Sequence, residues 1–146
     1  MKSPVTDICD LNRELPPDAP DAPQWLVDAL QVPREEGWVN SDGCDVHFFR
    51  WGDPANPPLL LMHGFLAHAR CMAFIAPFLA EQYHVIAYDL SGMGDSGVRS
   101  SYPDAVRAQE VVDVARETGL FDHAIKPIVI AHSYGGHVGL AAMNDF

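Results

Sequence analysis

The sequence predicts an α/β fold, a mostly parallel sheet with flanking helices. Three short, continuous apolar runs are typical of strands that are buried on both faces. Segments with helical spacing of apolar residues lie between these runs, and such alternation of strand and helix favours a parallel sheet. With 146 residues, 48% of them hydrophobic, the chain is long enough for one domain with a substantial core.

The sequence before the first apolar run predicts an arm, a short helix and a hairpin. Residues 1–23 are rich in proline and aspartate, which indicates an acidic, proline-rich arm rather than part of a core. Residues 24–32 can form a short helix. Residues 38–51 read as strand, turn and strand, with the turn at 40–43. We therefore expect the domain to span residues 24–146.

The alternating part of the chain follows a proline-rich loop. Its predicted elements are, in order, a strand at 59–62, a helix-like segment at 68–82, a strand at 83–90, a glycine-rich loop at 91–101, a helix after Pro103 that ends at Gly119, a strand at 125–131 and a small-residue helix from Gly135. Pro77 should start or kink part of the first of these helices, because a proline in a helix interior breaks a hydrogen bond.

Charge and cysteine content restrict the partners of the protein. A formal net charge of −11 repels phosphate backbones and anionic lipid, so we expect neither nucleic acid nor a membrane as partner. The three cysteines are odd in number and show no metal-type spacing. That pattern favours reduced thiols and a cytoplasmic location. The first residues also lack the apolar run of a signal peptide.

A serine motif, Ala131-His132-Ser133-Tyr134-Gly135, lies directly after the third predicted strand. A serine that stands clear of the sheet needs a sharp, strained strand-to-helix turn, and larger side chains two positions before and after it would collide. The turn also places the amide N–H of Tyr134 at a helix N-terminus, where it can stabilise an oxyanion. Ser133 is therefore a candidate nucleophile. The alternative is that it merely caps the helix.

A second motif, Met62-His63-Gly64-Phe65, follows the first buried strand. Gly64 would allow this loop to fold over the serine and offer the N–H of Phe65 as a second oxyanion donor. The alternative is an ordinary turn between a strand and a helix.

Three blocks of the sequence together resemble the α/β-hydrolase fold superfamily, in its serine esterase and lipase-like branch. The blocks are LLLMHGF, YDLSGMGDSG and AHSYGGHVGLAA, in that family's order and spacing, and the resemblance covers residues 38–146. Only the N-terminal portion of the fold is covered, so the sheet is expected to end after the serine turn, in a truncated α/β-hydrolase fold.

The resemblance implies roles for individual residues. Ser133 would be the nucleophile, the amides of Phe65 and Tyr134 would form the oxyanion hole, and His63 would shape the loop after the first buried strand. Ala131 stands where most members have glycine. A serine at this position also argues against the haloalkane dehalogenase and epoxide hydrolase branches, which use aspartate.

Other candidate sites are weaker, and we expect no cofactor and no metal. Residues 92–97 spell G-x-G-x-x-G, but a dinucleotide site needs a helix that opens on these glycines, and residues 98–103 intervene. The histidine pairs 63/68 and 132/137 lack metal-ligand spacing. Asp89 ends a strand, yet in this fold the triad acid follows the serine. We therefore expect Asp89 to fix the adjacent loop by hydrogen bonds.

The base and the acid that would activate the serine are missing from the family's positions. The order in this fold is Ser, then Asp or Glu, then His, and after Ser133 only His137 and Asp145 remain. The ring of His137 should not reach the serine oxygen. We therefore expect the N-terminal part of a serine hydrolase that cleaves a small, ester-like substrate through an acyl-Ser133 intermediate, with this chain inactive alone. The alternatives are a truncated, non-catalytic paralogue or binding module, and C–C hydrolase or perhydrolase chemistry.

Overall fold

The computed structural model describes residues 22–145, so the predicted arm lies almost entirely outside the described residues. The strands are β1 (Glu35–Ser41), β2 (Cys44–Trp51), β3 (Pro58–Met62), β4 (His84–Tyr88) and β5 (Ile128–Ala131). The α-helices are α1 (Gln24–Gln31), α2 (Ala76–Leu79), α3 (Asp104–Glu117) and α4 (Tyr134–Ala142), and 3₁₀ helices cover Ala69–Met72 and Met143–Asp145.

The five strands form one mixed sheet in the order β1-β2-β4-β3-β5. The strands that alternate with helices, β3, β4 and β5, pair in parallel as the alternation predicts, while β1 and β2 form an antiparallel hairpin and β2 joins β4 antiparallel. Met62 pairs with both Tyr88 and Ala131. The carboxyl ends of the three parallel strands therefore meet at one edge of the sheet.

The hairpin turn is tighter than the predicted four-residue segment. Asp42 and Gly43 have φ values of 45° and 76°, and two positive φ values in succession define the turn that best matches the twist of two paired strands. The side-chain oxygen of Asn40 accepts a hydrogen bond from the Gly43 N–H at 3.2 Å.

The helix-like segment predicted over residues 68–82 is not one continuous helix, but the prediction that Pro77 starts part of it is confirmed. A 3₁₀ turn covers Ala69–Met72, and α2 spans only Ala76–Leu79 with Pro77 in its first turn. Proline has no N–H, and its ring clashes with the carbonyl four residues earlier, so it is accepted only where a helix begins. Proline also delays β5, which starts at Ile128 after Pro127, because proline cannot donate to the strand ladder.

Apolar side chains cover both faces of the parallel strands, since successive residues of a strand point to opposite sides. Leu60, Met62, Ile86 and Tyr88 belong to a core shared with α3 and α4. The intervening residues of β3 and β4 pack with β2 and the segment from Ala69 to Ala80 on the other face. β5 lies at the edge of the described sheet.

Candidate active site

Ser133 occupies the turn between β5 and α4 in a strained conformation. Its φ of 51° and ψ of −116° lie in a region that side-chain-bearing residues rarely adopt, at a typical cost of about 1–3 kcal/mol. The side chain is exposed, and although Ser133 is the residue before α4, it makes no capping hydrogen bond. Capping therefore does not explain this serine.

The glycine two positions after the serine, Gly135, is required because the turn lies in contact with β3. A Cβ at Gly135 would lie 2.5 Å from the carbonyl oxygen of His63 and 3.0 Å from the Cβ of Met62. The N–H of His132 donates to the carbonyl of Met62 at 3.0 Å, which extends the pairing of β3 with β5. The serine turn is thus seated directly on the carboxyl end of β3.

The loop after β3 passes over the serine. A Cβ at Gly64 would lie 2.8 Å from the Nδ1 of His132 and 3.4 Å from the Cβ of Ser133. Within residues 22–145, the backbone N–H groups of Phe65 and Tyr134 have no hydrogen-bond partner. Two unpaired amide donors therefore flank the serine turn, and their rings contact each other edge to face with centroids 5.7 Å apart.

His63 connects this loop to the end of β4. Its Nε2 accepts a hydrogen bond from the N–H of Leu90 at 3.0 Å, so the proton resides on Nδ1, which donates to the carbonyl of Gly64 at 2.7 Å. The side chain is buried, and burial lowers the pKa of His63. The neutral ring therefore acts as a bridge between two backbone segments beside the serine.

Asp89 is fully buried just beyond β4 and accepts hydrogen bonds from three sides. The donors are the N–H of Ala69 at 2.5 Å, the N–H of Asp95 at 3.0 Å and the Nδ1 of His47 at 2.8 Å. Burial raises its pKa, but these hydrogen bonds, with that from His47 the largest, outweigh burial and hold the pKa below its usual value. Gly94 has φ +53°, and any Cβ there would overlap the Asp89 carboxyl group.

The residue that pairs with Asp89 was not predicted from the sequence. His47 lies on β2, is completely buried, and places Nε2 2.8 Å from a carboxylate oxygen of Glu36. It meets Asp89 because β2 pairs with β4, and the residues are 42 positions apart. His47 can be recognised as the partner of Asp89 only when the pairing of β2 with β4 is known, and the sequence alone does not disclose that pairing.

A second missed group lies under the glycine-rich loop. Glu110 accepts a hydrogen bond from the N–H of Ser91 at 2.9 Å, and Arg107 donates to the carbonyl of Ser91 at 2.8 Å. The two side chains are buried and pair with each other at 3.4 Å. Their i,i+3 spacing in α3 was the available signal, because it puts both on one helix face.

His137 lies one turn into α4. Its ring stacks on Tyr134 with centroids 5.9 Å apart, and its Nε2 lies 3.1 Å from a carboxylate oxygen of Asp104. His137 is thereby engaged with the first residue of α3. Asp145 lies in the terminal 3₁₀ helix.

The weaker candidate sites take ordinary structural forms. No helix begins on the glycines of residues 92–97, since α3 starts only at Asp104. Within the described part of the chain, the one group of three metal-type ligand atoms within 4.8 Å of one another is Glu36, His47 and Asp95. Arg70 pairs with Asp95 and lies 4.0 Å from Glu36, so a cationic side chain already lies beside this group. No helix between residues 22 and 145 is long and apolar enough to cross a membrane.

Three features define the N-terminal portion of an α/β-hydrolase fold. They are the serine turn after β5, the glycine loop that lies over it and the parallel strands that carry both. The model of the alpha/beta hydrolase family matches residues 59–145, and the chain belongs to this family.

The relatives it resembles include hydrolases of different kinds. The uncharacterized hydrolase YugF of Bacillus subtilis is 27% identical over 103 residues, which are 69% of this chain and 36% of that protein. Epoxide hydrolase A of Mycobacterium tuberculosis is 31% identical over 107 residues, 70% of this chain and 32% of that protein. A membrane phospholipase A of known crystal structure has a TM-score of 0.67 and 32% identity over 75% of this chain and 34% of its own. This chain therefore spans about one third of their length.

Proposed function

We propose that Ser133 is the nucleophile of a hydrolase that cleaves esters or related acyl bonds through an acyl-Ser133 intermediate. The observation that supports this best is the conjunction at one turn of an exposed, strained serine without a capping bond and two unpaired amides, those of Phe65 and Tyr134. The amides would stabilise the oxyanion of the tetrahedral intermediate. The roles of His63, Gly64, Ala131, Gly135 and Asp89 would be to position this arrangement.

The chemistry of the nucleophile favours acyl substrates over epoxides. The relatives' names include an epoxide hydrolase and a phospholipase at 31% and 32% identity, and these values do not separate the two activities. A serine hydroxyl that attacks a carbonyl forms an ester that water can cleave. The same hydroxyl opening an epoxide would form an ether, which water does not cleave, so turnover would stop.

Activation of Ser133 needs a base, and we propose that the whole protein supplies it from outside the described residues. His137 is held by Tyr134 and Asp104. A serine without a base is a weak nucleophile.

The thiols Cys44 and Cys71 are both free and form no disulfide. This is in keeping with our proposal of a cytoplasmic enzyme that acts on a small, ester-like substrate.

Labelling with a fluorophosphonate tests the proposal. In the whole protein, Ser133 Oγ should attack phosphorus, fluoride should leave, and peptide mass spectrometry should find the adduct on Ser133 alone. Ser133→Ala should lose both the label and the hydrolysis of p-nitrophenyl esters, while Ser101→Ala, on an exposed loop, should keep both. Ester hydrolysis that persists in Ser133→Ala would overturn the proposal, and a whole protein with neither label nor turnover would support the non-catalytic alternative.

A further inference from the structure

A cavity of about 330 Å³ opens at the edge of the sheet opposite to Ser133. His84, the first residue of β4, lies in its wall and pairs with Pro58 at the start of β3. Ser133, in contrast, follows the carboxyl end of β5, and the length of the parallel strands separates the two sites by roughly 13 Å or more. The remaining wall residues are Arg50, Pro54, Ala55, Thr118, Gly119, Asp122 and His123.

Two side chains in this wall have buried polar atoms without partners. His84 is only 2% exposed, and neither of its ring nitrogens has a hydrogen-bond partner. The Nε of Arg50 is also buried and unpaired. Buried polar groups in folded proteins are nearly always hydrogen-bonded, so each exception requires an explanation. Here two exceptions adjoin the same cavity.

The guanidinium of Arg50 is held in place by its other nitrogens. Nη1 donates to Glu35 at 3.1 Å and Nη2 to the carbonyl of Thr118 at 3.4 Å, while the buried Nε–H has no acceptor. Glu35 is largely exposed, so water screens its charge. The ring of His123 lies 6.1 Å from that of His84, centroid to centroid, and adds a further donor to the wall.

The charges around His84 favour an anion. Its pKa is lowered first by burial and then by the charges of Arg50 and His123, with a smaller opposing effect of Glu35 and Asp53. The permanently charged guanidinium of Arg50 in the same wall attracts negative charge. Asp122, the acid in the wall, is exposed to solvent.

We infer that this cavity binds a small oxyanion, the carboxylate or phosphate group of a small molecule, through Arg50, His84 and His123. The unpartnered nitrogens of Arg50 and His84 are buried, so the two side chains would have to rotate slightly toward the cavity, where the anion would accept the hydrogen bonds that these donors now lack. Charge-assisted hydrogen bonds from arginine are the ordinary means of holding such groups. Arg50 belongs to β2 and His123 to the loop after α3, so the anion would also link these two segments.

A transition metal on the same histidines is the competing interpretation. His84, His123 and Asp122 are of suitable types for zinc. However, their ligand atoms do not form a group within 4.8 Å of one another among the described residues. The neighbouring Arg50 would in addition repel a cation.

NMR titration of the histidine ring signals in the full protein tests the inference. Inorganic phosphate and acetate serve as probes, with sodium chloride at equal ionic strength as the reference. We expect saturable shifts of the His84 and His123 signals and a rise in the pKa of His84 when the anion is bound. The relative affinities of phosphate and acetate show which group the site prefers.

A matched pair of variants makes the result specific. Arg50→Gln removes the charge in the wall and should weaken binding at least about tenfold. Arg116→Gln removes an equal charge from an exposed position on α3 and should leave binding unchanged within about twofold. Dispersed NMR spectra of both variants would show that each is folded.

Three outcomes would overturn the inference: shifts no larger than those with chloride, equal binding by the two variants, or saturable shifts with Zn²⁺ alone. Fluorophosphonate labelling of Ser133 reports separately on the proposed function, because Arg50 and His84 lie at the other edge of the sheet.

Discussion

Replacement of Gly135 by alanine tests the tight seating of the serine turn on β3. The new Cβ would lie 2.5 Å from the carbonyl oxygen of His63 and 3.0 Å from both the Cβ and the carbonyl oxygen of Met62. These atoms are backbone or begin a side chain, so they cannot rotate away, and either α4 or the end of β3 must move. Such overpacking typically costs 1–3 kcal/mol. We expect the free energy of unfolding to fall by about 2–3 kcal/mol.

The same displacement should reduce the reactivity of Ser133. It would shift the loop that carries the Phe65 amide relative to the serine, and the loss of one oxyanion donor costs about 10²–10³ in rate. Labelling by the fluorophosphonate should therefore slow by up to that factor. Urea unfolding followed by circular dichroism gives the stability, and gel-based labelling gives the rate.

The next residue provides the control. Gly136 lies in α4, and a Cβ there would meet nothing within 4 Å. Gly136→Ala should stabilise the protein by about 0.5–1 kcal/mol, because alanine is the better helix former, and leave the labelling rate unchanged. If Gly135→Ala were as stable as the wild type, or if both variants changed stability alike, the steric argument would be wrong.

Three further predictions concern groups whose pKa is shifted by their surroundings. The pKa of Asp89 is lowered from 3.8, and the pKa of His47 is raised from 6.5 because its hydrogen bonds to Asp89 and Glu36 outweigh burial. The free energy of unfolding should therefore decline as the pH falls through the pKa that Asp89 has in the folded protein. It should also decline as the pH rises through the pKa that His47 has in the folded protein. His47→Gln should remove the alkaline decline in urea midpoints, and its persistence would exclude this pair as the cause. Asp89→Asn should cost about 3–5 kcal/mol, since it leaves His47 without its buried partner, and a loss below 1 kcal/mol would contradict that reasoning. Cys71, whose pKa is lowered by a neighbouring histidine, should react with iodoacetamide at pH 7 faster than Cys44, whose pKa burial raises, and the opposite order in peptide mass spectra would refute the assignment.

The sequence predicted the serine turn well because its determinants are local. The requirement for small residues around Ser133 follows from the sterics of a strand-to-helix turn, and the preceding strand is recognisable from its apolar run. The parallel pairing of β3, β4 and β5 was likewise predictable from the alternation of elements. The structure adds the register, Met62 opposite Ala131, which decides that the glycine loop lies over the serine.

What the sequence did not disclose depends on contacts between distant segments. His47 reads as an ordinary strand residue until β2 is paired with β4, and His84 reads the same way until the loop after α3 is placed beside it. The error at residues 68–82 has a different origin. Helical spacing of apolar residues was present there, but Pro77 prevents the helix from extending upstream of Ala76.

The strain at Ser133 is maintained by contacts that all lead to the same short segment, residues 62–64. His132 donates to the carbonyl of Met62, Gly135 packs on the carbonyl of His63, and Gly64 lies against the ring of His132. A backbone hydrogen bond contributes about 1 kcal/mol net, so no one of these contacts offsets a strain of about 1–3 kcal/mol with any margin. Such strain persists where several contacts hold it together, and here they couple the proposed nucleophile to the loop that would hold the oxyanion. A change on either side of this contact should therefore move both, which is why the alanine at position 135 is expected to affect stability and reactivity together.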